Sequence, residues 1–199
     1  MALSAERRQR ILDAATDVFC QSGFGRASMD AVARGAGVSK ATLYNHFASK
    51  DVLFQAVVEQ VSGRFIAGID TPGRKDQPIR QSLEEIGREF LAMLLDARNL
   101  AAVRLIIGEV QGNPEVGQKF YHAGPEKALK ALEAFFVSRR EAGEWTASDP
   151  QRSARDYVAV LRGNLFWRAL LGLPVDSTTV ERHVRQAVSL FLRAHGVEG

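Results

Sequence analysis

The chain has 199 residues, of which 46% are hydrophobic and 25% charged, a composition typical of a globular protein of one or two domains. Its single cysteine, Cys20, excludes an intramolecular disulfide and a thiolate metal cluster. The net charge is +3, and residues 1–50, with seven Lys or Arg and four Asp or Glu, carry that whole excess. This placement favours a polyanionic partner for that part of the chain.

The first residues lack the apolar core of a signal peptide, and no apolar run approaches the roughly 20 residues that span a bilayer. We therefore expect a cytoplasmic protein that has no membrane partner.

The spacing of apolar residues predicts helices throughout, about nine in total, and an all-α fold. The first four are expected at residues 4–22, 29–36 and 40–46, and after Ser49, which can cap the fourth. A loop at 68–78, rich in charge and proline, follows them. The remaining helices are expected at 79–96, 100–110, 115–142, 151–171 and 178–195, with Gly124-Pro125 breaking or kinking the third of these.

The loop at 68–78 is the best candidate for a domain boundary. It predicts an N-terminal domain at 1–50 with a connecting helix to about 68, and a C-terminal helical domain at 79–199.

Residues 28–47 fit two short helices that cross around a tight turn. Ala33 is small where the second helix passes close, Gly37 can adopt the positive φ of the turn, and Ser39 can cap the second helix. The apolar contacts that set the crossing are expected from Val32, Ala36, Val38 and Leu43. Together these residues predict a helix-turn-helix.

Residues 24–54 closely resemble the TetR family of bacterial transcriptional regulators. The matching positions are Phe24, Ser28, Val32, Ala33, Ala36 to Ser39, Ala41 to Tyr44, His46, Phe47, Ser49 to Asp51 and Leu53. Ser28 and Ala41 depart mildly from the commoner Thr and Gly. Segments 120–126 and 161–164 resemble the C-terminal domain of the AefR-like branch. The resemblance implies a three-helix DNA-binding head and a C-terminal domain for ligand binding and dimerisation.

The second helix of the motif is expected to enter the major groove of double-stranded DNA. Asn45 can present paired donor and acceptor groups to adenine, and the methyl groups of Ala41 and Thr42 can contact thymine. The resemblance implies that Tyr44 and His46 contact phosphates. The expected DNA-binding residues are Ser28, Ser39, Lys40, Ala41, Thr42, Tyr44, Asn45, His46 and Lys50. Alternative interpretations are that Tyr44 and Phe47 are core aromatic residues of a small bundle, that His46 only caps its helix and that Ser28 is only an N-cap, although Ser28 can serve in both roles.

For the C-terminal domain, the resemblance implies a homodimer formed by the last two helices and a cavity that binds a small effector. The expected interface residues are Leu161, Leu165, Val184, Val188, Phe191 and Leu192. The expected cavity residues are Phe65, Phe90, Leu94, Ile106, Glu109, Tyr121, His122, Phe135, Arg162, Asn164 and Trp167. The alternative is that the same apolar residues pack in the core of the monomer.

The sequence therefore predicts a transcriptional repressor that binds a palindromic operator as a homodimer and is released by a small, largely apolar inducer. No motif for an enzyme, a cofactor or a metal is present, so none of these is expected. Two other interpretations stay open: a helix-turn-helix that serves only as an interaction module, and a regulator without an inducer.

Overall fold

The computed structural model describes residues 4–69 and 71–197, and the regular secondary structure within those ranges is helical. The predicted all-α fold is confirmed. The helices are α1 (Ala5–Arg26), α2 (Met29–Ala36), α3 (Lys40–His46), α4 (Lys50–Ile69), α5 (Pro72–Lys75), α6 (Ile79–Leu94), α7 (Ala97–Val110), α8 (Pro114–Ala123), α9 (Pro125–Glu141), α10 (Pro150–Leu170) and α11 (Ser177–Ala194).

Two helical segments are additional to the predicted set. The single turn α5 lies inside the predicted loop, and the predicted helix at 115–142 is divided into α8 and α9. The division falls where it was expected, because Pro125 has no N–H for a helical hydrogen bond and its ring clashes with the preceding turn. The N–H of Gly124 ends α8 by donating to the carbonyl of Phe120 at 3.1 Å.

The described chain forms two compact units. Unit 1 contains the residues up to Val61 together with Ala97–Pro125, and unit 2 contains Ser62–Asp96 together with the residues from Glu126 onward. Unit 1 thus includes α7 and α8, which pack with the first helices of the chain. The predicted domain limits follow the sequence motif rather than these contacts, and they stay a prediction.

The first helix is broken at Gly23, which has a φ of 75° and a ψ of 166°. Glycine adopts this conformation without the steric cost that a Cβ would bring. Beyond the break, the ring of Phe24 lies 5.9 Å from that of Phe19 and 5.1 Å from that of Phe54. The break therefore directs the chain into the core of unit 1 before α2 begins.

The helix-turn-helix has the predicted local structure. Gly37 ends α2 with a φ of 64°, and Ser39 caps α3 by accepting a hydrogen bond from the N–H of Thr42 at 3.0 Å. Val32 and Leu43 are buried between the helices. Phe47 is also buried, which supports its interpretation as a core residue.

Within the described ranges, α4 is the one helix that is long and apolar enough by composition to cross a membrane. Several of its large side chains are buried in the protein, among them Leu53, Phe54, Phe65 and Ile69. Core packing therefore accounts for the composition of this helix.

Aromatic side chains form the centre of unit 2. The ring of Trp145 is stacked on that of Phe191 at 5.4 Å and lies 4.9 Å from that of Phe136. The hydroxyl of Tyr157 donates a hydrogen bond to the carbonyl of Leu83, and burial raises the pKa of Tyr157 well above its ordinary value. The hydroxyl therefore stays neutral and acts as a donor inside the core.

A buried arginine holds the segment between α4 and α6. The side chain of Arg139 is only 3% exposed, and it donates to the carbonyls of Arg74 and Gln77 and to the hydroxyl of Ser82. It also forms an ion pair with Glu144. Arg139 thus supplies a donor to the carbonyl of Gln77 and a charged donor to the carbonyl of Arg74, which also accepts from the hydroxyl of Ser82 at 3.1 Å.

The helix α10 is broken at Gly163, where φ is 42° and ψ is −144°. Nε2 of His183, on α11, lies 2.8 Å from the carbonyl oxygen of Leu161. Since a carbonyl oxygen only accepts, Nε2 carries the proton in this contact. A Cβ at Gly163 would lie 2.8 Å from the ring of His183, so this close approach requires glycine.

Candidate nucleic-acid interface

The helix α3 presents one face to solvent and one to the core of unit 1. Leu43 is fully buried, and Tyr44 is 43% exposed. The other exposed members of α3 are Lys40, Ala41, Asn45 and His46. A helix of this size with polar groups on one outward face fits the major groove of B-DNA.

Two members of the predicted contact set are hydrogen-bonded to each other. The hydroxyls of Ser39 and Thr42 lie 2.8 Å apart, in addition to the cap in which Ser39 accepts from the N–H of Thr42. This local pair fixes the side chain of Thr42 relative to the start of α3.

The start of α2 carries an exposed serine. Ser28 accepts a hydrogen bond from the N–H of Ala31 at 3.2 Å, so it is an N-cap, and its exposed position leaves its hydroxyl open to solvent. Backbone N–H groups at the first turn of a helix favour a negatively charged ligand such as a phosphate. The cap and a phosphate contact are compatible at this residue.

An acidic residue next to the interface was missed by the sequence analysis. The carboxylate of Asp30, in the first turn of α2, lies 2.8 Å from Nζ of Lys40, at the start of α3. The hydrogen bond from Lys40 to this carboxylate raises the pKa of Lys40. Because both side chains are at least half exposed, the pair is solvated and can be broken by a competing phosphate.

We predict that Asp30→Asn strengthens binding to DNA of any sequence. The substitution removes a negative charge and leaves Lys40 unpaired, so one more cation can neutralise a phosphate. We expect roughly three- to tenfold tighter binding to a random duplex and a steeper salt dependence, by up to about one unit of slope. Fluorescence anisotropy over a series of KCl concentrations measures both.

The matched control is Asp13→Asn in α1, which changes the net charge equally but removes a carboxylate that accepts from Gln9 at 2.8 Å. Equal gains from the two variants would show that the pairing of Lys40 with Asp30 has no effect on DNA binding.

Lys50 lies at the start of α4, but its ammonium group is directed toward the chain itself. Nζ donates to the carbonyls of Phe24, Gly25 and Ala27 at 2.6, 2.9 and 3.1 Å, and it lies 4.6 Å from the centre of the Phe24 ring. An ammonium group has three donors, and these contacts use all of them. The phosphate contact expected of Lys50 stays a prediction, and this geometry does not favour it.

Two helices outside the motif also contact the head. Glu109, on α7, accepts from the N–H of Gly25 through both carboxylate oxygens, at 2.9 and 3.0 Å. Nζ of Lys119, on α8, pairs with Asp51 in the first turn of α4 at 2.5 Å. No local sequence signal identifies these contacts, because the partners are 84 and 68 residues apart.

The expected effector-cavity residues divide between the two units. Ile106 is buried in unit 1 and Glu109 contacts Gly25 there, whereas Tyr121 and His122 are exposed on the same unit. Those in unit 2 are Phe65, Phe90, Leu94, Phe135, Arg162, Asn164 and Trp167. Of these, Phe65, Phe90 and Phe135 are buried in one hydrophobic cluster with Leu94 packed against it, and Arg162, Asn164 and Trp167 are exposed.

The six expected interface residues are all buried within a single chain. They are Leu161, Leu165, Val184, Val188, Phe191 and Leu192, and each is at most 6% exposed. This burial favours the alternative that their apolar stripes face the core of the monomer. Other apolar side chains near α10 and α11 are exposed instead, namely Trp167, Leu171, Leu173 and Leu190.

A helix-turn-helix with an exposed polar recognition helix and an excess of positive charge defines a DNA-binding protein of the helix-turn-helix class. Residues 11–57 match the model of the tetR family of bacterial regulatory proteins, and residues 81–197 match that of the C-terminal domain of the AefR-like transcriptional repressor. The chain belongs to the TetR family of bacterial transcriptional regulators, as the sequence analysis predicted. It is therefore a DNA-binding regulator and not an enzyme.

One curated relative matches the N-terminal third of the chain, and two solved structures match nearly all of it. The transcriptional regulator UidR of Escherichia coli (strain K12) is 43% identical over 65 residues, which span 33% of this chain and only 33% of UidR. A solved TetR-family regulator from Mesorhizobium loti is 27% identical, with a TM-score of 0.81 over 98% of both chains. The structure of the flavonoid-responsive regulator FrrA is 29% identical, with a TM-score of 0.76 over 96% of this chain and 97% of FrrA.

Proposed function

We propose that this protein is a cytoplasmic repressor that binds a palindromic operator as a homodimer and is released by a small, largely apolar inducer. The observation that carries the proposal is the match of residues 81–197 to the C-terminal domain of the AefR-like transcriptional repressor. A repressor of this kind occupies its operator until a ligand lowers the affinity of the dimer for DNA.

In this proposal, α3 reads base edges in the major groove. Asn45 pairs with adenine, and the methyl groups of Ala41 and Thr42 contact thymine. Lys40, Tyr44 and His46 are the proposed phosphate contacts of α3, and the exposed polar face of the helix supports these assignments.

The proposed dimer is formed by exposed apolar side chains on the last two helices. Trp167 is 58% exposed near the end of α10, and Leu190 is 53% exposed on α11. Large apolar side chains exposed on neighbouring helices are candidates for an interface between copies of the chain. A two-fold dimer carries two heads, so its operator has two half-sites of inverted sequence.

The proposed effector site lies in unit 2, among the aromatic residues that stay together there. Phe65 and Phe90 have ring centres 5.5 Å apart, and Phe135 belongs to the same cluster. Such a lining suits a largely apolar ligand. The name of FrrA, a flavonoid-responsive regulator, supports a small-molecule effector for this chain as well.

The test begins with DNA that the purified protein retains from a randomised duplex library. We expect an inverted repeat among the retained sequences. Placed upstream of a reporter gene, this duplex should lower transcription when the protein is present. Retention without a repeat contradicts the dimer on a palindrome, and higher transcription contradicts repression.

The inducer is tested by thermal shift with a panel of lipophilic compounds that includes flavonoids. A compound that raises the melting temperature should also release the selected duplex. Stabilising compounds that leave DNA binding unchanged would contradict the proposed inducer mechanism.

A further inference from the structure

Residues 23–28 run from the break in α1 to the N-cap of α2, and we refer to them as the turn between α1 and α2. Charged groups on two helices bind the backbone of this turn. The N–H of Gly25 donates to both carboxylate oxygens of Glu109, on α7. The carbonyls of Phe24, Gly25 and Ala27 accept from the ammonium group of Lys50, on α4. Hydrogen bonds to ionised groups are stronger than those between neutral groups, so these contacts fix the backbone of the turn in addition to the packing of Phe24 in the core.

Gly23 shows how closely Glu109 approaches this turn. A Cβ built on Gly23 would overlap Oε1 of Glu109, and the φ of 75° independently disfavours any residue with a side chain. A second glycine, Gly25, has its own Cβ position within 4 Å of the same carboxylate. Gly23 therefore leaves the space in which the carboxylate of Glu109 lies against the backbone, whereas a Cβ at Gly25 would be in ordinary contact with it.

The turn between α1 and α2 leads directly into α2, the first helix of the helix-turn-helix. Gly25 is three residues before Ser28, the exposed N-cap of α2. A change in the path of residues 25–27 would change the position and direction of the first turn of α2. Ser28 is among the expected DNA-binding residues, and the N–H groups of this first turn favour a phosphate. The positions of these groups depend on the contact between Glu109 and Gly25.

We propose that Glu109 is a positioning residue for DNA binding: its carboxylate fixes the turn between α1 and α2 so that Ser28 and the start of α2 are placed to bind a phosphate. Glu109 acts through Gly25 and touches no DNA. The inference rests on the proposed placement of Ser28 against DNA, and it replaces the assignment of Glu109 to an effector cavity.

The direction in which one substitution changes the affinity for DNA distinguishes a positioning role from a purely electrostatic effect. Glu109→Ala removes a negative charge from the unit that binds DNA, and charge alone would strengthen binding to a polyanion. Loss of positioning acts in the opposite direction. We expect binding to the duplex selected by the wild-type protein to weaken about tenfold, with an unchanged salt dependence because no cation is lost.

The matched control is Glu6→Ala, which removes the same charge from an exposed position of α1, in the same unit as Glu109. It should bind the selected duplex at least as tightly as the wild-type protein does. Glu109→Gln keeps one oxygen that can accept from Gly25, and we expect it to restore binding to within about threefold of wild type. If Glu109→Ala does not fold, DNA binding and the Gly25 amide are measured in Glu109→Gln instead.

Amide exchange and proton NMR of Gly25 test the contact itself without DNA. In Glu109→Ala, the Gly25 amide should exchange faster and its proton resonance should shift upfield, while Glu109→Gln should give intermediate values. An unchanged Gly25 amide in both variants would overturn the proposed contact.

The DNA measurements separate this inference from the DNA-binding function. A wild-type protein that selects no duplex would overturn specific DNA binding by the head, and the role of Glu109 with it. If the wild-type protein binds its duplex and folded Glu109→Ala binds it equally well or more tightly, only the role of Glu109 is overturned.

Discussion

Arg139→Met is expected to lower the free energy of unfolding by about 3–5 kcal/mol. Methionine fills much of the space of the arginine stem but cannot donate to the carbonyls of Arg74 and Gln77 or to the hydroxyl of Ser82. The carbonyl of Arg74 keeps the hydroxyl of Ser82 as a donor, whereas the carbonyl of Gln77 loses the charged donor that Arg139 supplies. An acceptor inside the protein that is left without a donor carries the full cost of its lost hydration. For a chain of this length, the melting temperature should fall on the order of 10 °C.

The neighbouring residue supplies the control for this prediction. Arg140 is exposed, and it donates to the carbonyl of Ser148 at 3.1 Å. Arg140→Met should change the free energy of unfolding by no more than about 0.5 kcal/mol. Both variants are measured by urea and thermal unfolding at one protein concentration, since the stability of an oligomer depends on concentration. Similar losses in both would contradict the importance given to burial of Arg139.

The helix-turn-helix could be predicted from the sequence because its determinants are local. The positive φ of Gly37 and the cap by Ser39 each depend on residues within four positions. The burial of Leu43 follows from helical spacing alone. The residues of a short motif of this kind interact mostly with one another, so the sequence of the motif is enough to predict its local structure.

The contact of Glu109 could not be predicted from the sequence, because its partner is 84 residues away in the chain. A carboxylate within an apolar helix is equally consistent with a ligand site, an ion pair or a backbone contact. Its partner is the N–H of Gly25, a group that every residue except proline carries, so no side chain signals the pairing. The contacts of Lys50 were equally hard to predict, because its partners are backbone carbonyls. The sequence motif alone favoured a contact between Lys50 and a DNA phosphate.

The surface of the last two helices was difficult to predict because both are apolar on more than one side. Helical spacing shows which residues share a face, but it does not show which face the monomer buries. Val184 and Val188 are buried in the single chain, whereas Leu190 on the same helix is half exposed. Trp167 was expected in an effector cavity, and its exposure makes it a candidate for an interface instead.

Leu190→Asp is expected to convert the proposed homodimer into a monomer at micromolar concentration. A carboxylate placed in an apolar interface loses its hydration without gaining a partner. Because the two heads then bind independently, affinity for a duplex with two half-sites should fall by about 100-fold or more. Light scattering measures the mass in solution, and a titration of the selected duplex measures the affinity.

Ile107→Asp is the control, because Ile107 on α7 is 57% exposed and lies outside the proposed interface. This variant should stay a dimer in light scattering. A duplex with one half-site separates lost avidity from damage to the head, since wild-type protein and Leu190→Asp should bind it with similar affinity. A wild-type monomer, or a Leu190→Asp variant that stays dimeric, would contradict an interface at this part of α11. In the second case the dimer would have to form through another surface, and the exposure of Leu190 would have no role in assembly.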